Sequence, residues 1–371
     1  MKSWLSSLAN KSTAPSPIGL DFAAQRLNMV QTAAAPGGLA VRAALSLPYP
    51  VERAQLLADR RRLKTFVREA LAAAPFAGRR VVSVLAPSEV RILPLTVHVP
   101  GGQSEGQAVA KAVREQLGAA AAESVVDYYQ VRSVEAAGPE KQVLAAVAAS
   151  ANVLAYLETL GSAGLEPVAL DIGPAAIARL LAAMQEDFDQ SVLLINFGAS
   201  KSYLTVIWGR RLMLDREIDF GEMQLVDRLS RALGLNTEVA LALLREHGIG
   251  TPAGAQHGPN GAAPDIGRTL REILHQEFAA LAEELVRTQV YVASRTRGSS
   301  ISRLYLNGSL ARYPDIQSRI AELIDVPVHL LDPFGAFPES AQNMAHGTAG
   351  EQATTSLALA TGLALRGGAD G

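Results

Sequence analysis

Two short segments of this chain carry residue types suited to holding phosphate. The first, GLDFAAQRLNMVQ, begins at Gly19, and the second, INFGASKSYLTVI, begins at Ile195. Each runs from an apolar strand to an Asp or Asn, then a small-residue turn, a polar pair and a second strand. Setting Asp21 beside Asn196 pairs Phe22 with Phe197, Ala23 with Gly198, Ala24 with Ala199 and Arg26 with Lys201. Small turn residues let backbone N–H groups approach phosphate oxygens. An acidic residue ending the first strand can orient a hydrated Mg²⁺, which takes carboxylate and water oxygens. Two such hairpins facing each other would grip a polyphosphate from both sides. Ordinary tight hairpins with small turn residues explain the same letters equally well, and the repeat is short. A third segment, SRLYLNGSLARYPDIQSRIAELIDVPVHLLDP, adds a strand, a turn at Asn307, Gly308 and Ser309, a helix and a strand. It follows at the distance where a two-lobed nucleotide fold places its adenosine loop.

The elements that must position these turns follow from hydrophobic period. Ile18 to Phe22, Arg26 to Gln31 and Leu39 to Leu47 predict an antiparallel meander. Leu63, Phe66, Val67, Ala70 and Leu71 form one face of a helix expected from Leu56 to Ala74. Its other face carries Arg60, Arg61, Arg62 and Lys64, which reads as a solvated surface. Val81 to Ala86 is a buried-type strand. From Ser88 to about Leu165 the order strand, helix, strand, strand, helix predicts a small inserted α+β subdomain. A helix from Pro174 to Phe188 precedes strands at Ser191 to Phe197, Ser202 to Trp208 and Leu212 to Asp219. Helices are expected at Glu222 to Leu233, closed by Gly234, and at Arg268 to about Arg295. Ile301 to Leu306 is a strand, Ile316 to Ile324 a helix, Pro327 to Leu331 a strand and Thr355 to Arg366 a closing helix. The expected division is a leader over 1–17, a first lobe core over 18–87 and the inserted subdomain over 88–166. A second lobe core follows over 167–247. An upper subdomain covers 248–330, with a Gly/Pro-rich loop at 248–265, and 331–371 returns to the second lobe core.

Composition narrows the function. The chain has 371 residues, 49% hydrophobic and 19% charged, so it packs a core. Its formal net charge of -2 argues against a dedicated nucleic-acid binder. With no cysteine, a disulfide scaffold, a thiolate metal site and a cysteine nucleophile are excluded. The opening MKSWLSSLANKSTAPSPIG lacks the uninterrupted apolar stretch of ~7–15 residues that a secretory signal needs. No apolar run approaches the ~20 residues of a bilayer span. A cytoplasmic protein is expected.

Taken together, the three turns and their flanking segments resemble the actin-like ATPase superfold, and specifically the PilM family of type IV pilus assembly. FtsA and the cytoplasmic domain of GspL are similar but more distant. The resemblance runs from about Pro17 to Arg366. Its more specific parts are RILPLTVHVP with VVDYYQV, REIDFGEMQLVDRLSRALGL, LYLNGSLARYPDIQSRIAELIDVPVHLLDP and the closing ALATGLALR. The resemblance implies an α/β, two-lobed actin-like fold with a small inserted subdomain in the first lobe.

It also implies ATP or ADP with Mg²⁺ at Asp21, Phe22, Ala23, Ala24 and Gln25, at Asn196, Gly198, Ala199, Ser200 and Lys201, at Gly221 and Glu222, and at Asn307, Gly308 and Ser309. Asp21 would meet the metal through water. The chain departs from the family at these turns. Asp-Phe-Ala-Ala-Gln stands where Asp-Ile-Gly and serines are usual, and Asn196 replaces an Asp. A single glycine, Gly308, stands where two or three are common, and Glu222 follows Gly221 where a second glycine is common. A Cβ at a close phosphate approach costs about 1 kcal/mol or more. The retained Asp21, Gly198, Ser200, Lys201 and Gly308 would support weak nucleotide binding, and efficient hydrolysis is not expected. The function implied is a scaffold that binds the N-terminal tail of a PilN-like membrane protein. Other platform proteins, the motor ATPase and self-association complete the expected partners, and contact with the membrane would run through them. Arg91 to Pro100 is a candidate groove wall. The competing readings are a working Mg-dependent ATPase or kinase, and a GspL-like or MshI-like secretion or pilus component.

Overall fold

The computed structural model describes residues 15–35, 38–100, 104–131, 140–185, 190–249, 266–296, 298–338 and 355–366. The leader up to residue 14, most of the expected 248–265 loop and the tail after residue 366 lie outside them. Contacts divide the chain into two compact units. One comprises residues up to Leu85, Asn152–Ala176 and the segment from Phe334 on; the other comprises Ala86–Ala151 and Ile177–Pro333.

The first unit is built on a five-stranded sheet. Strands β1 (Ile18–Phe22), β2 (Arg26–Ala35) and β3 (Gly38–Pro48) form the expected antiparallel meander. Strand β4 (Arg80–Val84) joins β1 in parallel. The helix expected from Leu56 to Ala74 is two helices, α1 (Arg53–Ala58) and α2 (Arg60–Ala73). Asp59 makes the break: its side chain accepts from the backbone N–H groups of Arg61 and Arg62 and caps α2. The apolar face of α2 holds as read, with Leu63, Phe66, Val67 and Ala70 buried against Ile18, Leu20, Leu27 and Met29.

Strands β5 (Val90–His98), β6 (Ser124–Gln130) and β7 (Glu140–Ala149) form a separate antiparallel sheet with β7 in the middle. Helix α3 (Glu105–Leu117) covers it, burying Val109 and Val113 among Leu93, Val97, Ala145 and Val147. In chain order this subdomain is inserted between β4 and α4 (Ser150–Ser162), as expected. Its contacts, however, group it with the second unit, and Val131 packs on that unit's core. Residues 167–171 do not begin the second lobe. They belong to β8 (Glu166–Asp171), which pairs in parallel with β4 and closes the first sheet in the order β3-β2-β1-β4-β8.

Helix α5 (Gly173–Met184) leads to the second unit, where strands β9 (Ser191–Phe197), β10 (Ser202–Trp208) and β11 (Arg211–Ile218) form another meander. Gly209 and Arg210 both have φ near +60° in the β10–β11 turn, the primed geometry that matches hairpin twist. Helices α6 (Glu222–Leu233) and α7 (Thr237–His247) follow, and α7 was not expected. The long helix is interrupted at Leu274 into α8 (Ile266–Ile273) and α9 (His275–Arg295). Strand β12 (Ile301–Gly308) lies parallel to β9, α10 (Ile316–Ala321) follows, and β13 (Val328–Leu330) completes the order β11-β10-β9-β12-β13.

The two sheets share one plan: a three-strand antiparallel meander whose first strand continues into two parallel neighbours. The short repeat read from Asp21 and Asn196 is therefore a repeat of architecture. Both residues stand next to last in the first strand of their sheet. By register the turns also match in length: Phe22 pairs with Leu27 and Phe197 with Ser202, leaving four residues between the partners in each, so Arg26 and Lys201 hold corresponding places.

Helix α11 (Ala358–Arg366) corrects a further expectation. It does not return to the second lobe core but packs on β1, β2 and β4 of the first sheet. An added Cβ on Gly19 would lie 2.0 Å from the Ala360 carbonyl oxygen, and one on Gly362 would lie 2.1 Å from that of Ala176. Helix and strand meet with no room for a methyl group. Arg366 ends α11 with an ion pair to Asp171 at 3.2 Å. Gly19→Val should therefore lower stability by about 3 kcal/mol or prevent folding. Gly161→Ala, inside α4 with open space around it, should raise stability by about 0.5–1 kcal/mol. Urea melts of the two variants check this, and equal effects would refute the close-packing account.

Candidate functional site

The turn between β1 and β2 is built around Asp21. The hairpin register sets Asp21 opposite Asn28, and Asn28 Nδ2 donates to Asp21 Oδ2 at 3.2 Å. Ser46 Oγ donates to Asn28 Oδ1 at 2.7 Å, and Arg26 Nε donates to Ser46 Oγ at 2.8 Å. The carboxyl group is thus the buried end of a polar chain that crosses the meander. Burial pushes its pKa up from 3.8 to about 6, against the pull of Asn28 and the Arg53 charge. The turn is fixed through its carbonyl groups. Phe22 O accepts from Arg53 Nε at 2.9 Å, Ala23 O from the Tyr49 hydroxyl at 2.9 Å and Gln25 O from Tyr49 N at 3.4 Å. Burial and the nearby Asp21 charge keep the Tyr49 hydroxyl protonated.

The second unit brings the other three expected turns together. Ser309 N donates to Phe197 O at 2.8 Å, and Ser309 Oγ donates to Gly198 O at 3.1 Å. Glu222 N donates to Gly198 O at 3.1 Å and Met223 N to Ala199 O at 2.8 Å. The β9–β10 turn therefore holds both the start of α6 and the end of β12. Gly221 and Gly308 are required by this contact, and Gly198 by the path of the turn itself. An added Cβ on Gly198 would lie 2.2 Å from Lys201 O, one on Gly221 2.6 Å from Ala199 O, and one on Gly308 2.1 Å from Phe197 O. Gly308 also has φ +91°, which a side chain disfavours.

The polar side chains of these turns face one another. Asn307 Nδ2 donates to Asn196 Oδ1 at 3.1 Å. Lys201 Nζ lies 2.6 Å from Asp219 and 3.2 Å from Glu217, and those carboxylates raise its pKa, led by the Asp219 hydrogen bond. Tyr313 donates to Glu222 Oε1, with Arg312 3.8 Å from the same oxygen. Burial and this carboxylate raise the Tyr313 pKa. Asp215 on β11 accepts from Thr205 Oγ1 at 2.7 Å, and burial lifts its pKa to about 6.

These groups fit a magnesium polyphosphate poorly. Asp21 favours its neutral form more than an ordinary carboxyl group does, Asn196 offers an amide, and Lys201 shares its charge with two exposed carboxylates. Among the described residues, no group of three or more His, Asp or Glu could hold a metal ion. Sequence reasoning missed Asn28, Ser46, Tyr49, Arg53, Glu217, Asp219 and Tyr313. Hairpin register alone could have supplied Asn28, because a four-residue connection between Phe22 and Leu27 sets it opposite Asp21. Nothing local marks the others, which arrive from separate elements.

A second feature lies at the end of the small sheet. An open cavity of about 350 Å³ is bounded by Glu89, Val90, Arg91, Leu117 and Ala120. Glu89 Oε2 accepts from Ala86 N at 3.2 Å, while Arg91 is exposed on the rim. Of the expected groove wall, Arg91 to Pro100, only the start of β5 borders this cavity.

The family model of type IV pilus assembly protein PilM matches residues 19–255. Among solved structures, a PilM–PilN type IV pilus biogenesis complex aligns over 95% of this chain and 98% of its own, at 23% identity and TM-score 0.71. The ethanolamine utilization protein EutJ of Carboxydothermus hydrogenoformans aligns over 96% and 91%, at 14% identity and TM-score 0.49. MreB5 of Spiroplasma citri bound to ADP aligns over 86% and 92%, at 12% identity and TM-score 0.45.

Asp21 and Asp215 give stability a defined pH dependence. Both carboxyl groups hold their protons more tightly folded than unfolded, so their contribution to stability is fully present below about pH 4 and is lost as pH rises through about 6. A shift of this size is at most about 3 kcal/mol per group. Asp21→Asn should remove its share of the fall, gaining stability at pH 7 and little at pH 4. Urea melts across that range check it, and an equal loss at both pH values would contradict the burial argument.

Proposed function

The chain belongs to the type IV pilus assembly PilM family, and from that premise we propose that it is a scaffold of the pilus assembly platform. It captures the N-terminal tail of a PilN-like membrane protein and works at the cytoplasmic face of the inner membrane. The observation that carries this reading is the engagement of the turn side chains with one another. Lys201 is clamped by Asp219 and Glu217, Glu222 is met by Tyr313, and Asn196 is met by Asn307. Groups arranged this way stiffen a framework and offer little to a substrate. No helix among the described residues is long and apolar enough to cross a membrane, so the reading places the protein at the membrane through its partners.

The seat proposed for the tail is the cavity beside β5. Its apolar wall of Val90, Leu117 and Ala120 suits a short extended peptide, and Arg91 supplies one charged contact. Calorimetry with the tail peptide of a PilN-like protein should give micromolar or tighter binding. Arg91→Glu and Ala120→Trp should each weaken it about tenfold, roughly 1.4 kcal/mol. Absence of binding to the unaltered chain would refute the scaffold reading. Binding untouched by both variants would refute only the seat.

The rival is a Mg·ATP-dependent ATPase or kinase on the same fold. It requires turnover that Asp21→Ala abolishes. The proposed scaffold instead binds ATP or ADP weakly, with Kd of about 1 mM, and any residual hydrolysis is unchanged by Asp21→Ala. A phosphate-release assay on both proteins separates the two readings.

A further inference from the structure

Helices α1 and α2 concentrate positive charge. Residues 53–73 hold six basic and two acidic residues, whereas the other 350 residues hold 28 basic and 34 acidic. Three of the six are engaged: Arg53 donates to the Phe22 carbonyl group, Arg60 pairs with Glu158 on α4, and Arg62 pairs with Asp59. Arg61, Lys64 and Arg68 are exposed and have no carboxylate partner among the described residues. At about 100° and 1.5 Å per residue, these three lie within roughly 60° of one another along about 10 Å of α2. Glu69, the one acid within α2, stands about 100° round the helix from them.

This arrangement runs against two local rules. Arg60, Arg61 and Arg62 open the helix with no acidic residue in its first turn, where cations oppose the macrodipole. Arg61 and Lys64 are like charges at i, i+3, and Lys64 and Arg68 at i, i+4, which repel. On α3 and α9, by contrast, exposed Lys111 pairs with Glu115 and Arg287 with Glu284. A helix that keeps repelling charges without internal compensation points to a partner outside the chain. The rest of the face narrows the class of partner. A folded protein partner needs a buried apolar or aromatic centre, and a nucleic-acid strand needs aromatic platforms. No exposed large apolar side chain lies on α1 or α2, and the exposed neighbours of the three cations are Thr65 and Ala72. Such a face suits a diffuse anionic surface that asks for charge and no pocket. We propose that the Arg61–Lys64–Arg68 face of α2 is a direct contact for an anionic bilayer surface. The choice of a membrane over other polyanions rests on the location proposed above; the charge arrangement does not. Each cation held near an anionic leaflet strengthens binding about fivefold, and three together about a hundredfold. The contact is weak alone, is screened by salt, and reinforces the attachment made through partners. It uses no residue of the tail cavity.

The test is co-sedimentation of the full-length protein with vesicles. In low salt, vesicles of equal phosphatidylglycerol and phosphatidylcholine should bind at least about tenfold more protein than phosphatidylcholine alone, and about 0.5 M salt should abolish the difference. Arg61→Glu, Lys64→Glu and Arg68→Glu combined should lower binding at least about tenfold. The matching glutamine triple should lower it less, and it decides the test if the glutamate triple melts early. Lys111→Glu, Arg114→Glu and Arg231→Glu combined, an equal change of charge on α3 and α6, should leave most of the binding intact. Tail-peptide calorimetry on the α2 variants should be unchanged, so a failure here leaves tail capture standing. Absence of vesicle binding, binding indifferent to salt, or an equal loss in the two glutamate triples would overturn the proposal. Equal or tighter binding to a DNA duplex or to poly-glutamate at matched charge would also overturn it, by assigning the face to another class of partner.

Discussion

Main-chain carbonyl groups at the turn after β9 hold the second unit together. Phe197, Gly198 and Ala199 each present a carbonyl oxygen to a donor from a distant part of the chain: Ser309 at the end of β12, and Glu222 and Met223 at the start of α6. Segments separated by about a hundred residues in the chain converge on three consecutive peptide units. Such a convergence leaves no volume for a side chain at Gly221 or Gly308, while Gly198 is closed off by the Lys201 carbonyl within its own turn. Phosphate cradles and tight backbone junctions use the same residue for the same steric reason. A glycine in such a turn therefore does not by itself report a ligand.

The polar side chains around that junction separate the two explanations. A nucleotide grip needs positive charge, N–H groups and a metal-orienting carboxylate directed outward. Here the cation is matched by two carboxylates, the acid at Glu222 is met by a tyrosine, and an amide pair bridges β9 to β12. In the first unit Asp21 ends a relay through Asn28 and Ser46 to Arg26. The relay from Asp21 is buried at its inner end and specifies a single, rigid arrangement, whereas the Lys201 pairs are exposed and the buried Asn307 Oδ1 has no partner among the described residues. A protein whose task is to present fixed surfaces to partners gains from that rigidity, whereas a turning-over enzyme needs groups left available.

The elements legible in the sequence were those whose signal is local. Both meanders, α2, α6 and the glycine that ends α6 follow from period, caps and turn residues, and the Asp21–Asn196 correspondence marked a repeated sheet plan. What was not legible depended on distant partners. Strand β8 is half-exposed along much of its length and shows no clear alternation; it is a strand because β4 offers an edge. Asp59 reads as one polar residue in a helical run, yet its backbone N–H closes α1 and its carboxylate caps α2. Helix α11 is apolar all round, so its sequence cannot say which sheet it covers; the close approach of Gly19 to Ala360 decides it. The side chains that engage Lys201 and Glu222 come from β11 and from the segment after β12, and no spacing rule connects them to the turn.

The sheet plan is shared while the contacts at its turns differ, for one physical reason. The two halves keep the same strand order because each meander must bury one face and continue into parallel neighbours. The turns need only close their hairpins, and each is held by different contacts. In the first half the carbonyl groups of the turn are tied to Tyr49 and Arg53. In the second half Gly221 and Gly308 let α6 and β12 reach the carbonyl groups of the turn, and Asn196 pairs with Asn307. One sheet plan therefore carries two sets of turn contacts, because burial fixes the order of the strands while the segments that happen to reach a turn fix its geometry.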